Sequence, residues 1–205
     1  MRSTSKAHPP GAPIHLLPRA FFNRDPTEVA PELLGRLLIR QGGAGERRAR
    51  IVETEAYLGE GDAAAHAAAG LTPRTKFLFG EPGHAYVYLI YGLHWCLNVS
   101  TLPAGQAGGV LFRALADETG ADSGALSGPG RLTRSLEITG KLNGCDLTRR
   151  GPLFLADDGW RPAGIAATAR VGIRKAAELP YRYFIEGHAA VSPPRGPVLR
   201  RCRGN

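Results

Sequence analysis

Short strand-like runs separated by turn residues make up most of the sequence, and they restrict its fold more than any other feature. Few helical segments lie between these runs, which argues against a doubly wound parallel sheet. We therefore predict a single α+β domain with a curved antiparallel β-sheet flanked by helices. The predicted strands are 36–41, 47–58, 84–91, 94–101 and 108–115, with later strands within 151–157, 167–173 and 181–187.

Local signals also predict three helices and one tight turn. Asp25 followed by proline is typical of a helix start, and Gly35 of the position after a helix end. Further helices are expected over Thr72–Phe79 and 128–138. Gly92-Leu93 separates two strand-like runs and indicates a hairpin turn.

Length and composition limit the classes of protein to consider. The 205 residues fit one domain, predicted over 18–194 between a disordered basic arm at 1–17 and an arginine-rich tail at 195–205. No apolar run reaches transmembrane length and no secretory signal is apparent, so we expect a cytoplasmic, nucleoid-associated location and no membrane partner. Three cysteines without C-x-x-C spacing argue against a disulfide framework and a zinc site, so no metal or cofactor is expected.

The charge is positive but unevenly distributed. The formal net charge is +8, and it divides into +5 over residues 1–50, −3 over 51–101 and +6 over 102–205. Basic segments on both sides of an acidic centre are typical of a protein that holds a polyanion around a carboxylate-bearing site. The alternative is an ordinary solvated basic surface.

The segment IVETEAY (51–57) carries the most specific chemistry. In a strand, Glu53, Glu55 and Tyr57 share one face, and the smaller residues between them face the other way. Two carboxylates and an aromatic ring are costly to bury unless they bind a ligand or have partners. His66 follows in a loop that is short enough to reach the same place.

Later strands supply the other parts of a candidate pocket. Tyr88, with Tyr86 on the same face, offers aromatic surfaces, and Asn98 shares a face with Cys96 on the return strand. Arg113 lies in an otherwise apolar strand and needs an anionic partner, for which the sheet carboxylates are the candidates. Aromatic faces, polar edges, a carboxylate and an arginine suit a pocket for a flipped base. Without further information they indicate only a nucleic-acid or nucleotide binder.

Several of these segments resemble the alkyladenine (3-methyladenine) DNA glycosylase family, over about Phe21 to Pro194. The resemblance implies an open barrel like the formyltransferase C-terminal domain, without a helix-hairpin-helix motif. The matching segments are RIVETEAYLGEGDAAAH (50–66), TPR (72–74), PGHAYVYLIYG (82–92), CLNVS (96–100), GGVLFRAL (108–115), SGPGRL (127–132), ARVGI (169–173) and AVS (190–192).

The resemblance also implies a role for each candidate residue. The catalytic group is Glu55 as general base, with Arg113 and the main-chain carbonyl of Val191 helping to hold the water. Asn98 is expected to exclude guanine by crowding its 2-amino group. The base pocket is implied to comprise Tyr57, His66, Tyr88, Cys96 and Asn98, the DNA wedge Tyr91, Leu93 and His94, and the backbone contacts Thr72, Arg74, Arg131 and Lys141.

The sequence departs from the family pattern at three places. His94 stands where animal members have tyrosine, which leaves the depth of intercalation open. Gly140 stands where some members have a phosphate-contacting lysine, and Lys141 is the expected substitute. The loop between His66 and Thr72 is one residue shorter than in those members.

The implied activity is that of a monofunctional glycosylase acting as a monomer on double-stranded DNA with damaged bases. Such an enzyme flips alkylated purines such as 3-methyladenine and 7-methylguanine, hydrolyses the N-glycosidic bond and leaves an abasic site for base excision repair. Hypoxanthine and ethenoadenine remain open as substrates. With no lysine at the nucleophile position, no lyase step is expected. Two alternatives remain: a non-catalytic DNA or RNA module, and a metal-dependent nucleotide hydrolase using Glu55 and Asp62.

Overall fold

The computed structural model describes residues 13–43, 45–118, 124–193 and 197–201. These residues form ten strands of one sheet and three short α-helices. The helices are α1 (Arg19–Phe22), α2 (Pro26–Glu32) and α3 (Pro129–Ser135). The strands are β1 (His15–Leu16), β2 (Leu37–Gly42), β3 (Gly45–Leu58), β4 (Ala85–Ile90), β5 (His94–Thr101), β6 (Gly108–Asp117), β7 (Leu153–Asp157), β8 (Ile165–Thr168), β9 (Arg182–Ile185) and β10 (Leu199–Arg201).

All strand pairs are antiparallel, and the sheet branches at its longest strand. The main path runs β1-β7-β2-β3-β6-β5-β4, while β9 also pairs with β3 and leads to β8 and β10. The first half of β3 pairs with β2, and the segment Glu53–Glu55 pairs with β9 instead. Strand β6 pairs with the opposite edge of β3, and the sheet curls into a half-barrel. The predicted α+β fold with a curved antiparallel sheet is confirmed.

An irregularity in β3 lies at the first acidic residue. The register with β6 shifts between Ile51 and Glu53 and again between Glu53 and Thr54. Such bulges bend a strand and redirect its side chains. Glu53 thereby reaches arginines on both flanking strands, and the opposite side of β3 faces the core under α2, where the Thr54 hydroxyl donates to the Ala30 carbonyl at 2.9 Å.

The helix signals near Asp25 and Gly128 are confirmed. The Asp25 carboxylate accepts from the Thr27 amide at 2.8 Å, and Pro26 occupies the first turn, where no donor is needed. Gly35 follows α2 with φ +89°, as expected of a residue past a helix end. The helix α3 ends at Ser135, three residues earlier than predicted. No helix in the described part of the chain is long and apolar enough to cross a membrane.

The helix predicted over Thr72–Phe79 is wrong, because the segment forms consecutive turns. The Thr75 hydroxyl donates to the Gly70 carbonyl at 2.9 Å and accepts from the Thr72 amide at 2.8 Å. Side chains that bond the local backbone in this way compete with helical hydrogen bonds. The preceding segment, predicted to be a loop, contains a short 3-10 helix at His66–Ala69.

Two short strands lie beyond the limits predicted for the domain. Strand β1 pairs with β7, so the sheet begins inside the predicted arm at 1–17. Strand β10 pairs with β8, so part of the predicted tail at 195–205 belongs to the sheet. Residues 1–12, 194–196 and 202–205 lie outside the described residues. Pairing with interior strands therefore extends the fold past residues 18 and 194 at both ends.

A buried charge cluster joins β3, β6 and β9. The Glu53 side chain has no solvent exposure, and its Oε1 accepts from Arg113 Nε at 3.0 Å and Arg182 Nε at 2.7 Å. Its Oε2 accepts from the Ser192 amide at 3.0 Å and the Ser192 hydroxyl at 3.2 Å. Four donors satisfy this carboxylate, which makes Glu53 a structural cross-link between three strands and the segment after β9.

We expect Glu53→Gln to reduce the free energy of unfolding by about 3–5 kcal/mol, because it leaves two buried guanidinium groups with a neutral partner. Chemical denaturation measures the change, with Glu60→Gln on the exposed loop after β3 as the matched control. A loss of less than about 1 kcal/mol, the size of a single ordinary hydrogen bond, would contradict the cross-linking role.

Candidate active site

A cavity of about 200 Å³ opens beside β3, between the β4–β5 hairpin and the loop after β8. It is smaller than the ~300–1,000 Å³ of typical drug-sized pockets, so it suits a ligand of about one purine base. The structure brings together here the five residues predicted for the base pocket. The predicted residues lining the cavity are Tyr57, His66, Tyr88, Cys96, Asn98 and Arg113.

One wall of the cavity is a cluster of three rings. Tyr86 and Tyr88 stack at a centroid distance of 5.3 Å, and His66 meets Tyr88 edge-on at 4.4 Å. His66 Nδ1 lies 3.1 Å from the Tyr86 hydroxyl. Tyr86, which the strand alternation placed beside Tyr88, lines the cavity although the set of pocket residues implied by the resemblance omitted it. Packing and a hydrogen bond fix these rings before any ligand enters.

Glu55 lies behind the cavity wall, with no solvent exposure of its side chain. Its Oε1 accepts from the Val171 amide at 2.7 Å. Its Oε2 accepts from the Tyr57 hydroxyl at 2.9 Å and from Arg113 Nη1 at 3.3 Å. All three donor residues line the cavity, so the carboxylate is directly underneath the surface that a ligand would touch.

The electrostatics of this group favour a basic carboxylate. Burial raises the pKa of Glu55, although the Arg113 charge and the donors from Val171 and Tyr57 oppose the shift. Burial, followed by the charge of Glu55, raises the pKa of the Tyr57 phenol, which therefore stays protonated and donates. Glu55 thus combines a pKa above the ordinary carboxyl value with a fixed orientation, as a general base requires.

The Tyr88 hydroxyl and the Cys96 thiol form a second polar contact in the cavity. Burial, together with the hydrogen bond to Cys96, raises the pKa of Tyr88. Burial likewise raises the pKa of the Cys96 thiol, so neither group is a charged nucleophile at neutral pH. Nearby, the Asn98 amide nitrogen donates to the Tyr86 carbonyl at 3.2 Å, which fixes the orientation of that side chain.

Arg74 lies against the aromatic wall. Its guanidinium is 5.4 Å from the Tyr88 ring centroid. Burial, and secondarily the Arg74 charge, lowers the pKa of His66, which is therefore neutral at physiological pH. The predicted DNA-backbone contact at Arg74 is thus placed at the pocket itself, whereas the neighbouring Thr72 closes the turn with Thr75.

The tip of the β4–β5 hairpin carries two strongly exposed apolar side chains. Tyr91 is 86% exposed and Leu93 is 74% exposed. Tyr91 and Gly92 have φ values of +52° and +70°, and the Leu93 amide donates to the Ile90 carbonyl at 3.0 Å. The turn is therefore centred on Tyr91 and Gly92, which corrects the prediction of Gly92-Leu93. A tyrosine in the left-handed region is strained, and backbone strain of this kind is concentrated at functional sites.

The remaining predicted DNA contacts are exposed. His94, Arg131 and Lys141 all have exposed side chains. The glycine at position 140 packs closely under an aromatic ring, since a Cβ there would lie 2.8 Å from the Trp95 ring. A side chain at position 140 would therefore press against this ring, whereas Lys141 is exposed.

Val191, predicted to hold the water through its carbonyl, is not among the described residues that line the cavity, whereas Val171 is. The Val171 amide holds Glu55, whereas Val191 packs against the hydrophobic core and donates its amide to the His188 carbonyl. The AVS segment instead serves Glu53, through its last residue Ser192. The ARVGI segment was visible in the sequence, but only the fold shows that it lies beside β3.

The geometry also disfavours a metal-dependent hydrolase that uses Glu55 and Asp62. Arg170 binds the Asp62 carboxylate at 2.5 and 2.8 Å. Burial acts to raise the pKa of Asp62, but the hydrogen-bond donors to this carboxylate, led by Arg170, keep the pKa below its usual range. Within the ranges that the structure describes, no group of three or more His, Cys, Asp or Glu side chains could hold a metal ion.

Comparison with known proteins agrees with this site. A family model described as Methylpurine-DNA glycosylase matches residues 20–189. Relatives named as candidate 3-methyladenine DNA glycosylases include one from Koribacter versatilis, 50% identical over 87% of this chain and 94% of its own length. Those from Burkholderia lata and Methanocella arvoryzae are 44% and 42% identical, over 94% and 86% of this chain and 95% and 96% of their own lengths.

The family match covers Glu55, its three donors and the aromatic wall, and the identity to relatives extends over most of the chain. The chain therefore belongs to the methylpurine-DNA glycosylase family.

Proposed function

We propose that this DNA glycosylase flips an alkylated purine out of duplex DNA and hydrolyses its N-glycosidic bond with a water activated by Glu55. The observation that carries the proposal is a fully buried carboxylate whose three hydrogen-bond donors line a purine-sized cavity with an aromatic wall. Such an arrangement supports a general base and a negative charge directly below the surface on which an extruded nucleoside would lie.

The aromatic residues would select an electron-poor base. Stacking of a base on a ring contributes about 1–3 kcal/mol, and a cation over the ring contributes more. The wall of His66, Tyr86 and Tyr88 is already packed, so the base enters without reorganising it. Purines methylated at a ring nitrogen, such as 3-methyladenine and 7-methylguanine, are cationic and fit this wall better than normal bases.

Bond cleavage develops positive charge on the sugar, as in other glycoside hydrolyses. A cationic purine leaves without a general acid, so the protein must supply an oriented water and a nearby anion. Glu55 provides both, and Arg113 favours its ionised form. Base catalysis of this type contributes roughly 10²–10⁴-fold. The described residues that line the cavity include no lysine, so the proposal uses water and no Schiff base.

Neutral lesions such as hypoxanthine need a hydrogen-bond donor at the leaving base. His66 is neutral, and its ring nitrogen beside Tyr86 is the candidate for transmitting a proton. Asn98 would exclude guanine, because its amide is held by the Tyr86 carbonyl and cannot turn away from a 2-amino group. Together these two residues would set the range of lesions.

The hairpin tip and the exposed basic residues would bind the duplex. Tyr91, with Leu93 and His94 beside it, would fill the gap left by the flipped nucleotide, which replaces lost stacking. Thr72, Arg74, Arg131 and Lys141 are proposed to contact phosphates, and the net charge of +8 favours such binding. One chain contains every group named here, so a monomer suffices for the reaction.

We expect Glu55→Gln to lose at least about 10²-fold in the single-turnover release of 7-methylguanine from a duplex, because the amide cannot accept the proton of the water. Affinity for the same duplex should remain near that of the wild type, measured by fluorescence anisotropy. Glu60→Gln is the matched control on an exposed carboxylate. Near-normal turnover of Glu55→Gln would remove Glu55 as the base.

The same variant has an expected effect on stability that excludes misfolding as the cause. Since the folded pKa of Glu55 is raised, its ionised form destabilises the fold above that pKa, and the penalty disappears below the unfolded value near 4.5. Glu55→Gln should therefore melt no lower than the wild type at pH 7. The variant should lose this advantage as the pH falls towards 4.

The rate of excision should fall on the acid side of neutrality. Only ionised Glu55 can act as a base, so the rate drops tenfold per pH unit below its pKa, which lies above the ordinary 4.5. A single-turnover profile on a 7-methylguanine duplex between pH 4 and 6.5 measures this limb, because that lesion stays cationic throughout the range. An apparent pKa at or below 4.5 would contradict the assigned environment.

We expect Tyr91→Gly to reduce excision of hypoxanthine from duplex DNA by about tenfold, while excision from single-stranded DNA stays unchanged, since only the duplex requires the gap to be filled. Glycine relieves the left-handed strain at φ +52°, so the melting temperature should not fall. Leu89→Ala on the neighbouring strand position is the control. An equal loss on both substrates would contradict a wedge role.

A further inference from the structure

A buried ion pair lies next to the site without touching Glu55. The side chains of Arg170 and Asp62 are 0% and 2% exposed, and their two contacts measure 2.5 and 2.8 Å. The bidentate geometry fixes the plane of the guanidinium. This pair is not explained by the proposed chemistry, which uses neither residue.

Asp62 is held in turn by the backbone on both sides of it. Its carboxylate accepts from the Leu58 amide at the end of β3 and from the Ala64 amide, each at 3.1 Å. Asp62 therefore connects the strand that carries Glu55 to the loop that leads to His66. Arg170 consequently has a rigid partner, so its position is determined by the fold and not by solvent.

Arg170 transmits this rigidity to a tyrosine in the cavity wall. Its guanidinium carbon lies 4.6 Å from the Tyr57 ring centroid and 5.4 Å from that of Tyr181, and its Nη1 donates to the Ala56 carbonyl at 2.9 Å. The guanidinium covers one face of Tyr57. The hydroxyl of that ring donates to Glu55, so a shift of the ring would move one of the carboxylate's donors.

The second donor to Glu55 depends on the same arginine. The Val171 amide, which donates to Glu55 Oε1 at 2.7 Å, belongs to the residue directly after Arg170. This segment follows β8 and is not in a strand or helix, and the Arg170 side chain binds it to β3 through the Ala56 carbonyl. The hydroxyl-bearing ring of Tyr57 and the amide of Val171 therefore both adjoin one buried ion pair.

We propose that the Asp62–Arg170 pair is a positioning unit that aims the Glu55 carboxylate through Tyr57 and Val171. This inference rests on the proposed function insofar as Glu55 is the base, but the aim of the carboxylate is measurable without any substrate. Arg170 and Asp62 touch neither the cavity ligand nor the water in this scheme. Their effect on the reaction is indirect.

The chain contains a matched pair for the experiment. Arg50 and Asp158 form a buried ion pair with side chains 4% and 6% exposed and contacts of 3.2 and 2.8 Å. The Arg50 guanidinium also covers an aromatic ring, that of Trp160, at 4.8 Å. This second pair is not part of the cavity, so it reproduces the stability role of the first without its contacts to the donors of Glu55.

The experiment compares Asp62→Asn and Arg170→Lys with Asp158→Asn and Arg50→Lys. Three quantities are measured for each: the melting temperature, the single-turnover rate of 7-methylguanine release with duplex affinity, and the titration of Glu55 by ¹³C NMR of the carboxyl carbon. The charged or titratable side chains around Glu55 are Arg113 on β6, Glu53 and Tyr57 on β3, Arg182 opposite it on β9, and Arg170 itself. Of these only Arg170 is altered, and Arg170→Lys keeps its charge.

We expect both pairs of variants to melt below the wild type by similar amounts. Asp62→Asn and Arg170→Lys should also lose about 10²-fold in rate, as a ~1 Å misplacement does, with duplex affinity nearly unchanged. Their Glu55 pKa should rise further, because the donors from Val171 and Tyr57 lower it. Asp158→Asn and Arg50→Lys should keep the wild-type rate and Glu55 titration. If either asparagine variant does not fold, Arg170→Lys is compared with Arg50→Lys alone.

Wild-type Glu55 titration in Asp62→Asn and Arg170→Lys would overturn the positioning role, as would an equal loss of rate in the control pair. If the wild type releases no base but the Glu55 titration shifts as expected, the proposed function fails and the positioning role stands. If excision is normal in every variant, the proposed function stands and only the positioning role is wrong.

Discussion

The fold depends on neutralising two carboxylates inside a curled sheet. Glu53 and Glu55 are both fully buried on β3, and two guanidinium groups, from Arg113 on β6 and Arg182 on β9, face them. An ion of this kind is expensive to remove from water unless charges and hydrogen bonds replace the solvent. The branching of the sheet at β3 supplies those partners from both neighbouring strands, which ties the strand order to the chemistry of the centre.

The two carboxylates have different roles because their partners differ. Glu53 accepts four hydrogen bonds, two of them from arginines, and cross-links the strands. Glu55 accepts from one arginine, one phenol and one amide, and burial raises its pKa. The better satisfied group stabilises the fold, whereas the less satisfied group remains basic. A destabilised group surrounded by rigid structure is the usual cost of a pre-organised site.

Sequence patterns predicted well those features that depend on neighbours along the chain. The alternation in IVETEAY placed both acids and Tyr57 together, and the Asp25 cap also follows from a local signal. The structure differs from the predictions where side-chain hydrogen bonds or distant strands provide the partners of the backbone. Thr75 closes a turn where a helix was expected over Thr72–Phe79, and pairing with distant strands drew both predicted ends into the sheet.

The sequence by itself determined the type of sheet, the face that carries the acids and the family resemblance, because periodicity and short motifs are local properties of the chain. Only the tertiary structure decided which acid is structural, that the Val171 amide donates to Glu55, and that Arg170 and Asp62 pair beside it. These contacts join residues more than 100 positions apart, and no spacing along a chain specifies a partner that a curled sheet brings into contact.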